Sequence, residues 1–265
     1  MLGAIIGDIV GSIYEFDNYR NKNFNFFNPK CFFTDDSVMT VAIFDALCKC
    51  KGNYEKLEEY AIKDMQKYGK KYPNMSYGGR FALWLKSSNP YPYNSFGNGS
   101  AMRVSAVPYF ANSIEEVKHL SKLVTIVSHN HEEGIKGAEA TAVAIWLALN
   151  GKTKEEIKSH IEENYYSLNF DYEELRKNYQ FNETCQQTVP QAIYCFLISD
   201  SFEDAIRTGI SIGGDSDTLC AITGAIAEAY YGISAEFKEK ALKYLDKHML
   251  KRYNEFYKKF NEKLK

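Results

Sequence analysis

The amino-acid sequence predicts an all-α protein, and three observations carry that prediction. Apolar residues recur at helical spacing in nearly every segment, for example on one face of the stretch YEKLEEYAIKDMQKY at 54–68. Helix-start signals precede several such stretches: Ser113 and Glu116, and again Thr153 and Glu156, have the spacing of a capping box. Runs of alternating polarity joined by hairpin turns are absent from the sequence, so we expect no sheet.

The predicted helices follow one another without a long linker. The stretch at 134–151, GIKGAEATAVAIWLALNG, is apolar almost all round, which is typical of a central helix, and Gly151 suits its C-cap. Two further helices are expected in 201–214 and 217–232, and one long basic and polar helix after Ser234. The clearest loop is NPYPYNSFGNG at 89–99. We therefore expect a single domain over residues 1–265.

Composition narrows the functional class. A chain of 265 residues with 45% hydrophobic and 25% charged residues is typical of a soluble globular protein. The net charge of −2 argues against a protein that binds nucleic acid by neutralising phosphates. The six cysteines include no CxxC pair, which favours reduced thiols in a cytosol. With no basic segment before the first apolar run and no long uncharged apolar stretch, we expect a cytoplasmic monomer without a signal peptide or a membrane span.

Glycines form a stripe on the first predicted helix. Gly3, Gly7 and Gly11 recur at every fourth position, so they lie on one face and allow another backbone to approach closely. Glu15 continues the same row. It is either a surface residue or a carboxylate delivered into a crevice, and the pattern alone does not decide between them.

Two acid-rich turns each precede an apolar helix, in FFTDDSVMT at 32–40 and in SIGGDSDTLCAITG at 211–224. In one interpretation, each is a helix N-cap with an extra acid in the first turn. In the other, the turns meet in one crevice, where four carboxylates would repel each other unless cations neutralised them. Hard oxygen ligands of this kind suit Mg²⁺ or Mn²⁺, and two ions bridged by a shared carboxylate would fit four acids. The double glycine at 213–214 gives the second turn unusual backbone freedom.

The stretch SFGNGSAMR at 95–103 places Gly97 and Gly99 on either side of Asn98. Free backbone N–H groups there would form an anion-binding nest suited to a diphosphate, and a plain turn is the alternative. Arg103 would either pair with a carboxylate or phosphate or lie on a solvated face.

The stretch SHNHEEG at 128–134 contains two histidines. His129 and His131 are two positions apart, so they point to opposed sides of a helix, and no third soft ligand follows at the spacing of a zinc site. We therefore expect no zinc, and we expect His129 to form hydrogen bonds at the edge of a pocket.

Five motifs in order, GAIIGDIVGSIYE, TDDS, GNGSAMR, SHNH and GGDSDTLCAITGAIAEAYYG, resemble the ADP-ribosylglycohydrolase family. This family includes the ADP-ribosylarginine hydrolases and the hydrolase that reactivates dinitrogenase reductase. The resemblance extends from residue 3 to about residue 232. It implies an all-α fold with a binuclear magnesium or manganese centre between helix ends.

The resemblance also implies roles for individual residues. Two Mg²⁺ or Mn²⁺ ions would be bound by six residues: Thr34, Asp35, Asp36, Asp215, Asp217 and Thr218. Glu15 would stand on a mobile segment beside the metals and would be catalytic together with Asp35 and Asp36. The substrate would be bound by the diphosphate loop Gly97, Asn98, Gly99 and Ser100, and by His129 near the ribose. Asp8 lies within the first motif, and we expect it to pack behind the site or to support a ligand.

The implied reaction is hydrolysis of the glycosidic bond between ribose C1″ of ADP-ribose and a modified acceptor, through an oxocarbenium-like transition state. An arginine side chain of a protein is the default acceptor, and ADP-ribose is the product. One alternative is a metal-dependent hydrolase of a free nucleotide or of another ADP-ribose conjugate. Another is an ADP-ribose-binding module without turnover. All four aspartates of the two turns are present, which disfavours a non-enzymatic protein.

Overall fold

A computed structural model describes residues 1–263, and helices account for 66% of the chain, with no strand in the described part. This confirms the all-α prediction. The α-helices are α1 (Leu2–Gly11), α2 (Asp35–Cys50), α3 (Leu57–Lys71), α4 (Gly79–Lys86), α5 (Gly99–Met102), α6 (Val107–Phe110), α7 (Ile114–Ile126), α8 (Glu132–Leu149), α9 (Lys154–Asn164), α10 (Tyr172–Asn178), α11 (Cys185–Leu197), α12 (Phe202–Ser211), α13 (Ser216–Tyr231), α14 (Ala235–Leu242) and α15 (Lys247–Phe260). Single 3₁₀ turns occur at Tyr54–Lys56 and Asn261–Lys263. Within residues 1–263 we find no helix with the length and apolar character that a bilayer crossing needs.

Helix α13 is the buried axis of the molecule. Every residue from Ser216 to Ala229 is buried, and α1, α8, α11 and α12 pack around this helix. Helix α8 is also largely buried, as its apolar sequence predicts, and Gly151 beyond its end adopts a φ of +75°. Because α13 is enclosed on all sides, the two aspartates at its N-terminal end are held inside the protein.

The glycine stripe of α1 lies directly against the backbone of α13, as predicted. A Cβ atom added at Gly7 would lie 1.9 Å from the carbonyl oxygen of Cys220, and one at Gly3 would lie 2.1 Å from that of Gly224. At Gly11 the added atom would lie 2.5 Å from the Cα atom of Asp217. Since no side chain larger than hydrogen fits at these positions, the stripe sets how closely α1 approaches the acidic end of α13.

The helix-start signals are confirmed with one exception. Thr153 and Glu156 form a complete capping box at the start of α9. Ser113 caps α7 by accepting a hydrogen bond from the Glu116 N–H, but the Glu116 carboxylate accepts from the N–H of Asn112 and not from Ser113. Only half of the predicted box is therefore present at α7.

The single closing helix predicted after Ser234 is wrong. The chain forms α14 and α15, separated by a turn that ends at Asp246. The Asp246 carboxylate accepts hydrogen bonds from the N–H groups of His248 at 2.9 Å and Met249 at 2.8 Å, and it also accepts from the Tyr72 hydroxyl at 2.8 Å. This carboxylate starts a new helix because it satisfies the free donors of the first turn.

Candidate active site

The two acid-rich turns meet in space. The hydroxyl oxygen of Thr34, before α2, lies 3.4 Å from a carboxylate oxygen of Asp217 in α13. The hydroxyl oxygen of Thr218 lies 3.3 Å from a carboxylate oxygen of Asp36 in α2. Residues about 180 positions apart in sequence therefore share one buried cluster of oxygen atoms.

Hydrogen bonds near the start of α2 and α13 leave the carboxylates of both acid-rich turns free to face this cluster. Thr34 is the N-cap of α2, and its hydroxyl accepts from the Asp36 N–H, so neither Asp35 nor Asp36 is needed as a cap. Asp215 stands at the N-cap position of α13 but forms no capping hydrogen bond. Its carboxylate accepts instead from the side-chain amide of Asn98 at 2.7 Å. The cap interpretation therefore holds for Thr34 and the acids of the first turn of α2, but it does not account for Asp215, and the two turns do meet in one crevice.

The double glycine before α13 makes this turn possible. Gly213 and Gly214 have φ angles of +76° and +80°, the left-handed region that favours glycine. A Cβ atom at Gly214 would lie 2.3 Å from the ring of Tyr179. The backbone can therefore turn sharply into α13 and place Asp215 at the cluster.

Each carboxylate of the cluster makes ionisation of its neighbours less favourable. Burial, reinforced by the charges of neighbouring acids, raises the pKa of Asp35, Asp36 and Asp217 well above the usual range. Burial also raises the pKa of Asp215 to about 6. Half-buried Glu15 has its pKa raised to about 8 by burial and then by the charges of Asp217 and Asp8. Such a cluster is ionised at neutral pH when positive charge is placed among its oxygens.

Oxygen atoms of the cluster fit a cation in two groups. Carboxylate oxygens of Asp8, Asp36 and Asp217 lie within 4.8 Å of one another, and so do those of Glu15, Asp215 and Asp217. Asp217 belongs to both groups, which is the arrangement expected of a bridging carboxylate. Asp35 lies outside both groups, although it lines the same cavity.

Two observations show that oxygen lone pairs in this cluster lack hydrogen-bond donors. The Oδ1 atom of Asp36 is buried and has no hydrogen-bond partner among residues 1–263. Thr34 gives its one hydroxyl proton to Asp8 at 2.8 Å and accepts from the Asp36 N–H with one lone pair, so its other lone pair is left beside the carboxylate oxygens of Asp36 and Asp217. Opposed lone pairs are unfavourable in a buried site, and a hard divalent cation would satisfy them.

Asp8 differs from the other acids because its oxygens are already satisfied. Its carboxylate accepts from the N–H and hydroxyl of Thr34 and from the N–H and hydroxyl of Ser37. Burial nevertheless raises its pKa to about 6. We therefore assign Asp8 to holding the first turn of α2 in place, in line with the supporting role expected from the sequence, while its oxygen in the first group adds negative charge beside Asp36 and Asp217.

Asp8→Asn is expected to destabilise the protein by about 2 kcal/mol, because an amide N–H₂ would face donors that now bind a carboxylate. Thermal unfolding in EDTA should show a melting temperature about 4–8 °C lower than that of the wild type. An unchanged melting temperature would contradict the role assigned to Asp8.

A cavity of about 250 Å³ opens above the acid cluster. Its wall contains candidate residues from every motif: Glu15, Asp35, Asp36, Gly97, Asn98, Gly99, His129, Asp215, Asp217 and Thr218. Thr34 and Ser100 are not part of this wall, since both are completely buried behind it. The sequence analysis missed Phe81, Tyr93, Phe181 and Glu183, which also line the cavity. No local pattern marks these residues, because only the fold brings them to the cavity.

The predicted nest of free N–H groups is wrong for three of the four loop residues. The N–H of Gly97 donates to the Ser95 hydroxyl, that of Asn98 to the Glu183 carbonyl at 2.8 Å, and that of Ser100 to the Gly97 carbonyl. Only the N–H of Gly99 has no protein acceptor within residues 1–263. The loop is instead a rigid turn, pinned to the start of α11 by a short antiparallel bridge between Gly97 and Thr184.

His129 forms a hydrogen bond at the edge of the cavity, as expected, but the prediction that both histidines lie on a helix is wrong, because both stand between α7 and α8. His129 is buried at the cavity wall, beside the glycine loop. His131 is the N-cap of α8, where its Nδ1 atom accepts a hydrogen bond from the Glu133 N–H at 3.1 Å.

The alternative that places Arg103 on a solvated face is wrong, whereas its pairing with a phosphate stays a prediction, because Arg103 also lines the cavity. Its side chain is completely buried, and among residues 1–263 it forms no ion pair. It donates to backbone carbonyls and to Ser128.

Comparison with known families decides the assignment. The family model described as ADP-ribosylglycohydrolase matches residues 1–264. The chain belongs to the ADP-ribosylglycohydrolase family. This confirms the resemblance carried by the five motifs, and the chain is accordingly a hydrolase.

Relatives of this ADP-ribosylglycohydrolase chain cover most of its length. ADP-ribosylhydrolase ARH3 of Mus musculus is 28% identical, over 88% of this chain and 83% of the relative. ADP-ribosylarginine hydrolase Tri1 of Pseudomonas putida (strain GB-1) is 25% identical, over 88% of this chain and 70% of the relative. A solved structure titled ADP-ribosylglycohydrolase-related protein complex superposes with a TM-score of 0.67 at 20% identity, over 97% of this chain and 95% of the other. The last similarity shows a shared fold.

Proposed function

We propose that the protein hydrolyses the glycosidic bond between ribose C1″ of ADP-ribose and an arginine side chain of a modified protein, with two divalent cations, Mg²⁺ or Mn²⁺, in the acid cluster. The family match supports the ADP-ribosyl substrate, and the paired oxygen groups that share Asp217 support the metal centre. The observation that carries the proposal is the meeting of Asp36 and Asp217 with the hydroxyls of Thr34 and Thr218 in one buried cluster.

The proposed ligands are the six residues of the two turns, with Glu15 beside them. Divalent cations held there would supply positive charge and Lewis acidity next to the ribose. Asp36 and Asp217 stand opposite each other from two helices, and Asn98 holds Asp215 in the same direction through its amide. Asp8 and Thr34 keep the first turn of α2 fixed against this arrangement. The first turn of each helix therefore presents its oxygens in a rigid geometry before any substrate binds.

Hydrolysis needs one water oxygen to bond to C1″ while the bond from C1″ to the acceptor nitrogen breaks. A carboxylate takes a proton from the water, and a proton is delivered to the departing guanidine nitrogen. Glu15 and Asp36 are the candidates for these proton transfers. Glu15 follows the end of α1 in an irregular segment at the cavity, whereas Asp36 is enclosed at the start of α2.

The rim of the cavity suits a cationic acceptor. Glu183 and Phe181 line the cavity, and the charge of Glu183 contributes to the raised pKa of Glu15. The ring of Phe181 stacks on that of Phe16 with centroids 5.5 Å apart, and Phe16 is 76% exposed. A guanidinium group is planar and cationic, so it can pair with a carboxylate and stack on aromatic rings at the same time. These features favour arginine over an uncharged acceptor.

The test of the function is release of ADP-ribose from a panel of arginine-linked, serine-linked and nucleic-acid-linked conjugates, with and without EDTA. We expect release from the arginine conjugate and its loss in EDTA. Release of phosphate from free nucleotides, with no free ADP-ribose from any conjugate, would favour the nucleotide hydrolase. Tight binding of ADP-ribose without turnover of any conjugate would favour the binding module.

Glu183→Gln is expected to lower kcat/KM for the arginine conjugate about tenfold, because a charge-assisted hydrogen bond to the guanidinium is lost. Turnover of a serine conjugate, where it is measurable, should stay within about twofold of the wild type, since no cation is involved. Glu174→Gln is the matched control, since Glu174 is an exposed acid in α10 outside the cavity wall. Equal losses on both conjugates would contradict a role of Glu183 in selecting the acceptor.

A further inference from the structure

Arg103 is a buried cation whose hydrogen-bond acceptors all lie at or just beyond the C-terminal end of helix α7, while its guanidinium lies 5.7 Å from the centroid of the Phe81 ring. Its Nη2 atom donates to the carbonyl of Val124 at 3.0 Å, to that of Thr125 at 3.4 Å and to the hydroxyl of Ser128 at 2.9 Å. Burial lowers the pKa of Arg103 to about 10, so the side chain stays charged at neutral pH. Burying an arginine without a carboxylate partner costs folding free energy. Such an arginine is expected where its hydrogen bonds fix the position of a neighbouring side chain.

The Ser128 hydroxyl connects Arg103 to His129 through two hydrogen bonds. The Ser128 hydroxyl oxygen lies 2.8 Å from the Nδ1 atom of His129. A guanidinium can only donate, so the Ser128 oxygen accepts from Arg103 and its single proton remains for His129. Among residues 1–263 the Ser128 hydroxyl has no other acceptor within hydrogen-bond distance, so Nδ1 accepts this proton, and a neutral imidazole with an acceptor at Nδ1 carries its proton on Nε2.

The surroundings also keep His129 neutral. Burial lowers its pKa well below the usual value, and the positive charge of Arg103 lowers it further. The imidazole is 4% exposed, and the rings of Phe81 and Tyr93 lie 6.1 and 5.8 Å from it. No carboxylate is among the groups that perturb this pKa.

The Nε2 atom of His129 faces the glycine loop. A Cβ atom added at Gly99 would lie 3.4 Å from Nε2, and one added at Gly97 would lie 3.6 Å away. Within residues 1–263 Nε2 has no hydrogen-bond partner, although the side chain is more than nine-tenths buried in the cavity wall. Nε2 is not among the fully enclosed side-chain atoms that lack a partner, so it opens to the cavity, where an acceptor oxygen of a ligand can reach it.

We propose that Arg103 and Ser128 are positioning residues that hold His129 as the Nε2–H tautomer, so that its imidazole donates a hydrogen bond to an oxygen of the ligand lying on the Gly97–Gly99 loop. The ligand part of this inference rests on the proposed function, which makes the ligand ADP-ribose. Its phosphate and hydroxyl oxygens are the acceptors that such a donor selects. A ligand that offers only a donor at this position is rejected.

The tautomer can be measured directly by long-range ¹H–¹⁵N NMR on the full chain labelled with ¹⁵N-histidine. The chain has five histidines, and His129→Gln assigns the signal by its disappearance. We expect an unprotonated Nδ1 and a protonated Nε2 for wild-type His129 at pH 7. A protonated Nδ1, or protons on both nitrogens, would overturn the proposal whether or not the protein hydrolyses anything.

Substitutions of Ser128 test the positioning role. Ser128→Ala should shift the His129 signal toward the other tautomer and weaken binding of ADP-ribose about tenfold, whereas Ser128→Thr should keep the wild-type tautomer and affinity. Ser121→Ala is the matched control, because the hydroxyl of Ser121 is buried in α7 without a hydrogen-bond partner. A Ser128→Ala protein that folds and matches Ser121→Ala in both tautomer and affinity would overturn the proposal. If the wild type shows the Nε2–H tautomer but does not bind ADP-ribose, the proposed function fails, and with it the ligand half of this inference.

Discussion

Asp36→Asn lowers the rate of ADP-ribose release by on the order of 10³-fold, yet leaves the metal-free protein at least as stable as the wild type. The Asp36 carboxylate is buried, and one of its oxygens has no hydrogen-bond partner within residues 1–263. Burial and the charges of Asp217 and Asp8 raise its pKa well above the usual range. Asparagine keeps the shape of the side chain and stays neutral without taking up a proton, so the cost of burying an acid beside its neighbours is removed while the proposed metal ligand is lost.

The two halves of this prediction are measured on the same samples. Thermal unfolding in EDTA should give Asp36→Asn a melting temperature equal to or above that of the wild type. Saturating Mn²⁺ should raise the melting temperature of the wild type, because a ligand that binds only the folded state stabilises it, and should leave that of the variant nearly unchanged. ADP-ribose release from the preferred conjugate gives the activity.

Asp64→Asn is the matched control for Asp36→Asn. Asp64 is 1% exposed in α3, and it is paired with Lys49, away from the cavity wall. Loss of the ion pair with Lys49 should lower the melting temperature but preserve ADP-ribose release. This is the reverse of the pattern expected for Asp36→Asn. An Asp36→Asn protein that kept more than about a tenth of the wild-type activity would contradict the role of Asp36 as a ligand.

Gly7→Ala is expected to give the largest loss of stability of any single methyl addition in α1. The new Cβ atom would lie 1.9 Å from the carbonyl oxygen of Cys220 and 2.7 Å from the backbone nitrogen of Ala221. Both atoms belong to the buried backbone of α13, which cannot move without shifting Asp215 and Asp217. Overpacking of this kind costs about 3 kcal/mol. The melting temperature should fall by about 6–12 °C.

The same substitution should also weaken metal binding, because α1 and the acidic end of α13 would be pushed apart. Gly79→Ala is the control, since Gly79 lies in α4 with nothing within 4 Å of an added Cβ atom. Gly79 is the first residue of α4, where alanine has little advantage over glycine, so this control should stay within about 0.5 kcal/mol of the wild type. Similar melting temperatures for Gly7→Ala and Gly79→Ala would show that the glycine stripe does not set the helix spacing.

The fold class and the helix contacts of the site were predictable because they depend on local patterns. Helical periodicity gives the fold class, and the spacing of Gly3, Gly7 and Gly11 gives a close helix contact without naming the partner. The break before α15 was missed because the decisive group is one carboxylate, Asp246, which caps the second helix and also binds the distant Tyr72.

The site was less predictable because its contacts join distant residues. Each acid turn has a plausible local explanation as a helix cap, and only the family resemblance indicated that the two turns meet. The hydrogen bond from Asn98 to Asp215 spans 117 positions, and no local signal reveals it. The prediction of free N–H groups in the glycine loop was wrong for the same reason. The Asn98 N–H donates to the carbonyl of Glu183, which is distant in sequence.

The most direct test of the proposed metal centre is electron paramagnetic resonance of the wild-type protein titrated with Mn²⁺. Two ions bridged by Asp217 would lie roughly 3.5–4 Å apart, close enough for their spins to couple. We predict that bound Mn²⁺ gives a coupled two-ion spectrum, and that Asp217→Asn abolishes the coupled signal. A wild-type sample in which all Mn²⁺ keeps the spectrum of the free aqueous ion would contradict the account.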